Sequence, residues 1–147
     1  KVLEIGTSTG YSTLWLADAL QVTQGQLTTL EIDAVHSQQA QQFAQEFGLD
    51  PLIQFWVGDA KDYLAECTEK YDLILLDAER DTYVDYWSDL KRLLSKQGGV
   101  LIVDNVISHA EEVKAFTHLV KEEGNYLLST LSLGAGLLVI TAKDYDV

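Results

Sequence analysis

The chain has 147 residues, about one domain's worth, since domains cluster near ~100–150 residues and a chain of that size buries roughly two thirds of its surface. Hydrophobic residues at 47%, aromatics at 10% and a single proline exclude disorder, collagen-like repetition and low complexity, so a packed core is expected. With 10 Lys+Arg against 23 Asp+Glu the net charge is −13, which repels phosphate backbones and anionic headgroups and argues against nucleic-acid and membrane partners.

In chain order, Lys1 to Ile5 reads as a buried strand that ends at Gly6, and Thr7-Ser8-Thr9-Gly10 turns into a helix over 12–20. A second strand lies within 26–32, with Glu31 at its end. Ala40, Phe43, Ala44 and Phe47 recur at i, i+3, i+4, i+7, which predicts a helix over 34–47 with one buried face and a stop at Gly48. A third strand at 53–57 leads through Gly58-Asp59-Ala60 into a short helix ending near Leu64. The apolar run 71–77, capped by Asp77, suits a central strand covered on both faces. Tyr83, Tyr86, Trp87, Leu90, Leu93 and Leu94 mark a helix over 83–94, and Gly98-Gly99 precede a strand at 100–104. Val113, Phe116, Thr117 and Val120 mark a helix over about 109–123, ended by Gly124. The runs 126–131 and 137–141 are joined by a short loop with Gly134 and Gly136, so they should pair antiparallel.

Strand–helix alternation followed by a hairpin predicts one α/β domain with a doubly wound, mostly parallel sheet and an antiparallel C-terminal element. In such sheets ligands bind beyond the carboxyl ends of the strands. The turn after the first strand, Gly6 to Gly10, has the spacing G-x-x-x-G rather than the dinucleotide G-x-G-x-x-G. It lets backbone approach a ligand and aims helix N–H groups outward, while Glu31 stands where a carboxylate can accept both hydroxyls of a ribose. Together they predict a nucleoside-containing ligand; the plainer reading is an ordinary glycine turn and an acidic strand end. Asp77 and Asp104-Asn105 end two strands which, as neighbours ~4.8 Å apart, would bring their oxygens to one point. Two carboxylates so placed repel unless a proton or a cation intervenes, and an all-oxygen set suits Mg²⁺, Mn²⁺ or Ca²⁺ better than zinc. The plainer reading is a helix cap and a turn.

The ordered set Val2-Leu3-Glu4-Ile5-Gly6-Thr7-Ser8-Thr9-Gly10-Tyr11-Ser12, Leu30-Glu31-Ile32-Asp33, Gly58-Asp59-Ala60, Leu76-Asp77-Ala78-Glu79-Arg80-Asp81-Thr82-Tyr83 and Val103-Asp104-Asn105-Val106 spans nearly the whole chain. It resembles the cation-dependent class I O-methyltransferases, the catechol and caffeoyl-coenzyme A group with its bacterial relatives. The resemblance implies a Rossmann-like seven-stranded sheet with the last strand antiparallel, S-adenosylmethionine as cofactor, and a divalent cation, Mg²⁺ first among the candidates. It implies cofactor contacts at Glu4, Gly6, Thr7, Gly10, Ser12, Glu31, Ile32, Asp59, Ala60 and Asp77, with Gly6 to Gly10 on the methionine part, Glu31 on the ribose and Asp59-Ala60 flanking the adenine. Asp77, Asp104 and Asn105 are the implied metal ligands, and Asp77, Arg80 and Asp104 the implied catalytic set. The implied acceptor is a small molecule with adjacent hydroxyls, chelated so that one hydroxyl ionises in line with the sulfonium methyl. Where the family has a lysine three residues after the first metal Asp, this chain has Arg80, a poor general base. It stabilises an oxyanion, binds an anionic acceptor, or only pairs with Asp81 or Glu79 at the surface; His109 is an alternative base.

In that family helices precede the first strand and help cover cofactor and acceptor. Here the chain starts at the strand and contains no Met, so an upstream segment is expected unless the acceptor site is unusually open. Related enzymes are often dimers, which makes a homodimer the expected assembly. A single cysteine, Cys67, and no run of ~18 apolar residues point to a cytoplasmic protein. Trp15, Trp56 and Trp87 are expected in the core, His36 and His118 at the surface, and Gln38 to Gln45 on a solvent face. Two other readings compete: a Rossmann-type nucleotide-binding oxidoreductase domain, against which the hairpin and the glycine spacing speak, and a non-catalytic S-adenosylmethionine-binding module.

Overall fold

A computed structural model describes residues 1–143, in which Lys1–Cys67 and the residues from Thr68 onward form two compact units. In the first unit, β1 (Val2–Ile5), β2 (Leu27–Glu31) and β3 (Ile53–Val57) make a parallel sheet with β2 in the middle, its register running from Val2 opposite Leu27 opposite Ile53. Three helices connect or follow these strands: α1 (Tyr11–Thr23), α2 (Ala34–Glu46) and α3 (Ala60–Glu66). Two of them start on aspartates whose side chains cap the first amides. Asp33 accepts from the Val35 and His36 amides at 2.8 and 3.3 Å, and Asp59 from the Lys61 amide at 2.9 Å.

In the second unit, β4 (Leu73–Leu76) pairs parallel with β5 (Val100–Asp104), which pairs antiparallel with β7 (Leu137–Ala142), itself antiparallel to β6 (Tyr126–Leu131). The apolar stripes of α4 (Tyr83–Leu93) and α5 (Ala110–Glu122) supply the core. Phe116 meets Tyr83 and Trp87 edge-on, with centroids 5.9 and 5.8 Å away, and Trp87 also meets Tyr126 at 4.9 Å. The buried indole keeps its N–H satisfied on Glu123 at 2.8 Å, which Lys91 neutralises from the same distance. Among the described residues the strands number seven, mostly parallel with an antiparallel C-terminal hairpin, the α/β class expected. No helix of the described residues is long and apolar enough to cross a membrane.

Three expectations of packing are corrected. Trp15 is 66% exposed rather than in the core. The inner face of α1 is made by Thr13 and Ala17, small residues that let a helix approach a sheet closely. Likewise α2 buries Ser37, Ala40 and Ala44 and leaves Phe43 and Phe47 exposed. The strand predicted over 71–77 is shorter: Tyr71 makes only an isolated bridge with Leu94.

Gly10 shows how tightly the small-residue faces meet. It has φ 96°, and a Cβ there would lie 2.8 Å from the Cβ of Ala40. Gly10→Ala therefore combines left-handed strain with a clash and should cost about 2–3 kcal/mol, lowering the melting temperature by roughly 2–4 °C per kcal/mol. A melting curve unchanged by the substitution would show that α1 can retreat.

Candidate functional site

The first unit ends its parallel strands on one row of functional groups. After β1 the chain reverses through Gly6 (φ 107°), Ser8 (φ 50°) and Gly10 (φ 96°), with the Gly6 and Thr7 amides both donating to the Leu30 carbonyl at 2.9 and 3.1 Å. Positive φ at three of five residues turns the loop sharply. Glu31, the last residue of β2, clamps the loop: its Oε1 accepts the Ser8 amide at 2.8 Å and its Oε2 the Asp33 amide at 3.2 Å. Each carboxylate oxygen still has a lone pair free for hydroxyl donors.

Behind the loop lies a buried polar cluster. Glu4 is fully buried, and its carboxylate accepts from the hydroxyls of Ser12, Thr13 and Thr29, the last at 2.7 Å. Thr29 also shares a hydroxyl contact of 2.6 Å with Thr7. Glu4, Thr7 and Ser12 thus fix the loop from within by bonding β1, β2 and the first turn of α1 together. Ile32 and Asp59 are exposed, whereas Ala60 is half-buried at the start of α3. The Gly58 amide reaches the Glu31 carbonyl at 2.9 Å, so the third strand end stands beside the second.

In the second unit the parallel register sets Leu76 opposite Val103, so Asp77 and Asp104 follow at adjacent strand tips as expected. Asn105 adopts φ 61°, a conformation asparagine tolerates, and its side-chain amide donates to Asp77 Oδ1 at 3.1 Å while its backbone N–H donates to Asp104 Oδ1 at 2.7 Å. Burial first, and then the negative charge of Asp104, hold the Asp77 carboxyl above its usual range, with Arg80 and Asn105 pulling the other way. Two acids and an amide are thus gathered where one acid raises the other's affinity for a positive charge. Among the described residues no group of three or more His, Cys, Asp and Glu could hold a metal; this set owes its third oxygen to an amide.

The loop after Asp77 is braced by Tyr83, whose hydroxyl accepts the Ala78 amide at 2.9 Å and donates to the Ala78 carbonyl at 3.0 Å. Burial pushes the phenol up to about 12, so it acts as a neutral brace. Arg80 pairs with neither Asp81 nor Glu79 but with Glu112 of α5 at 3.5 Å. His109 lies at the start of α5 with Nδ1 2.7 Å from the Ser108 hydroxyl. Sequence reading missed Thr29, Tyr83 and Glu112. A threonine inside a strand otherwise built for burial was the available signal for the first; the other two had none.

Residues 1–130 match the family described as O-methyltransferase. A catechol O-methyltransferase of Niastella koreensis is 39% identical over 110 residues, covering 72% of this chain and 49% of the relative. The SAH-bound methyltransferase PaMTH1 of Podospora anserina superposes with a TM-score of 0.89 at 23% identity, over 97% of this chain and 71% of that one. The O-methyltransferase TomG of Streptomyces achromogenes, solved in complex with SAM, gives 0.86 at 26% identity, over 97% and 73%. The fold is therefore that of the Rossmann-like methyltransferases. Within that class the chain belongs to the O-methyltransferase family, and it spans about half the length of that curated relative, at 49%.

Proposed function

We propose that the protein is an S-adenosylmethionine-dependent O-methyltransferase acting on a small molecule with adjacent hydroxyls, assisted by a divalent cation, in a reducing cytoplasm. The observation that carries the reading is the meeting of Asp77, Asp104 and Asn105 at adjacent strand tips in a chain of the O-methyltransferase family.

In the first unit the Gly6–Gly10 main chain would line the methionine part of the cofactor, Glu31 would accept the ribose hydroxyls, and Ile32 with Asp59 and Ala60 would border the adenine. Glu4 and Thr7 act as positioning residues, since their side chains bond within the loop's support. In the second unit Asp77, Asp104 and Asn105 offer only hard oxygen donors, and the repulsion between the two acids is what a cation would relieve, so the set fits Mg²⁺ or Mn²⁺. When bound, such a cation lowers the pKa of an acceptor hydroxyl and fixes its direction. The residues' part is orientation, and alignment of two reactants can supply ~7–11 kcal/mol of a barrier. Arg80 serves as a cation rather than a base, since a guanidinium is a poor general base.

Calorimetric titration with S-adenosylmethionine and with NAD, followed by methyl transfer to a catechol panel in Mg²⁺ and in EDTA, tests the reading. Binding of the sulfonium cofactor alone, with turnover lost in EDTA and restored by Mg²⁺, is expected. NAD binding in its place would favour an oxidoreductase domain, and cofactor binding without any turnover a non-catalytic module. Glu31→Ala should weaken the cofactor about 10- to 100-fold, the worth of hydrogen bonds to a charged group; an unchanged titration would remove Glu31 from the site.

A further inference from the structure

Arg80 opens the short 3-10 turn Arg80–Thr82 that leads into α4, three residues beyond Asp77. Its side chain is only 18% exposed, and its ion-pair partner among the described residues is Glu112, whose Oε2 lies 3.5 Å from Nη1. Its Nε is buried with no hydrogen-bond partner. A guanidinium presents five N–H donors in a rigid fork and cannot shed its charge. A single long contact leaves most of that fork unused, and a buried donor without an acceptor is unfavourable. The positive charge is felt at Asp77, where it works against burial and Asp104, and also at Tyr83. Arg80 is thus a fixed, under-satisfied cation beside the acid pair.

Glu112 is suited to give way. Its side chain is 56% exposed and sits in the first turn of α5, where the helix N-terminus favours a negative charge whether or not the ion pair is made. A planar carboxylate can engage a guanidinium through two parallel hydrogen bonds, which is stronger than one 3.5 Å contact.

We propose that Arg80 recognises a carboxylate carried by the acceptor, that Glu112 holds this place in its absence, and that the preferred acceptors are therefore anionic compounds with adjacent hydroxyls. The hydroxyl half of this inference rests on the O-methyltransferase reading; the carboxylate half does not.

The test compares 2,3- and 3,4-dihydroxybenzoate with neutral catechol and 3,4-dihydroxybenzyl alcohol, by calorimetric titration in Mg²⁺ and by kcat/KM with S-adenosylmethionine. The intact protein should prefer at least one benzoate by about ten-fold or more. Arg80→Gln should erase that preference mainly through KM, Arg80→Lys should restore part of it, and Glu112→Gln, which removes only an exposed carboxylate, should enlarge it. A wild-type protein that treats benzoates and neutral diols alike, or a preference that survives Arg80→Gln, overturns the inference and leaves methyl transfer standing. If the cofactor binds but no diol is turned over, it is the O-methyltransferase reading that has failed. The titration then still decides: benzoate binding that disappears in Arg80→Gln supports the anion site, and absence of benzoate binding overturns it.

Discussion

Replacing Asp104 with alanine is expected to lower methyl transfer by at least about 100-fold, more than the loss usually seen when a residue merely behind a metal ligand is removed. Asp77→Asn should lower it comparably and, in EDTA, raise the melting temperature. The two outcomes have one cause. Burial and the neighbouring Asp104 charge raise the Asp77 carboxyl above its ordinary value of 3.8, so the ionised form is less favourable in the folded chain than in the unfolded one. For a carboxyl raised on folding, the protonated group's contribution is fully present below pH 3.8 and is lost as pH rises through the folded-state value. Above that value the chain carries an ionised, repelled Asp77, which asparagine would replace with a neutral group of the same shape.

A cation reverses that balance. Anything that binds only the folded state stabilises it, by about 2.7 kcal/mol at a concentration 100 times its dissociation constant. Titrating Mg²⁺ into the wild type should raise its melting temperature, and the same titration should do little to Asp77→Asn or Asp104→Ala. Thermal shift separates this from a purely structural role, because a cap or turn residue would be indifferent to Mg²⁺. A wild-type melting temperature unmoved by Mg²⁺, together with turnover that survives EDTA, would remove the cation from the proposal.

The strand tips were legible in the sequence because apolar runs ending in an acid, as at Leu76-Asp77 and Val103-Asp104, mark both the element and its functional end. Parallel pairing does the rest, since in-register strands place successive tips side by side. The hairpin of β6 and β7 was legible for a similar reason: two short strand-like runs with glycines between them leave little room for a crossover. The inner face of α1 was not legible. Leu14, Trp15, Leu16, Ala17 and Leu20 surround the helix, so periodicity could not say which side faces the sheet, and the packed side proved to be the one with small residues. The Arg80–Glu112 pair was hidden for another reason. Such a pair depends on how the loop after β4 meets α5, a tertiary relation that no local spacing encodes.

Glu4 gives the second large effect, and its position makes the prediction sharp. A carboxylate with no solvent exposure survives only if its oxygens are satisfied, and here hydroxyls from Ser12, Thr13 and Thr29 point at it. Two of those donors lie in the first turn of α1, where the helix dipole adds to the attraction. Glu4→Ala would leave buried hydroxyls without their acceptor and open a cavity beneath the glycine loop. Leaving a buried hydroxyl without its acceptor costs ~1–3 kcal/mol, so with Thr29 still bonded to Thr7 the loss at Ser12 and Thr13 should reach about 2–6 kcal/mol, a large share of the 5–15 kcal/mol typical of a folded domain. The expected melting temperature falls by roughly 10 °C. Glu4→Gln keeps the shape and lets each hydroxyl reorient toward an amide oxygen or accept from an amide nitrogen, so it should fall by clearly less. Cofactor affinity should drop in both, in the same order as stability, because the residue acts through the loop it supports. If Glu4→Gln matched wild type in stability yet lost cofactor binding entirely, Glu4 would have to touch the ligand itself, and the loop's support would have to be sought in Thr7 and Thr29 alone.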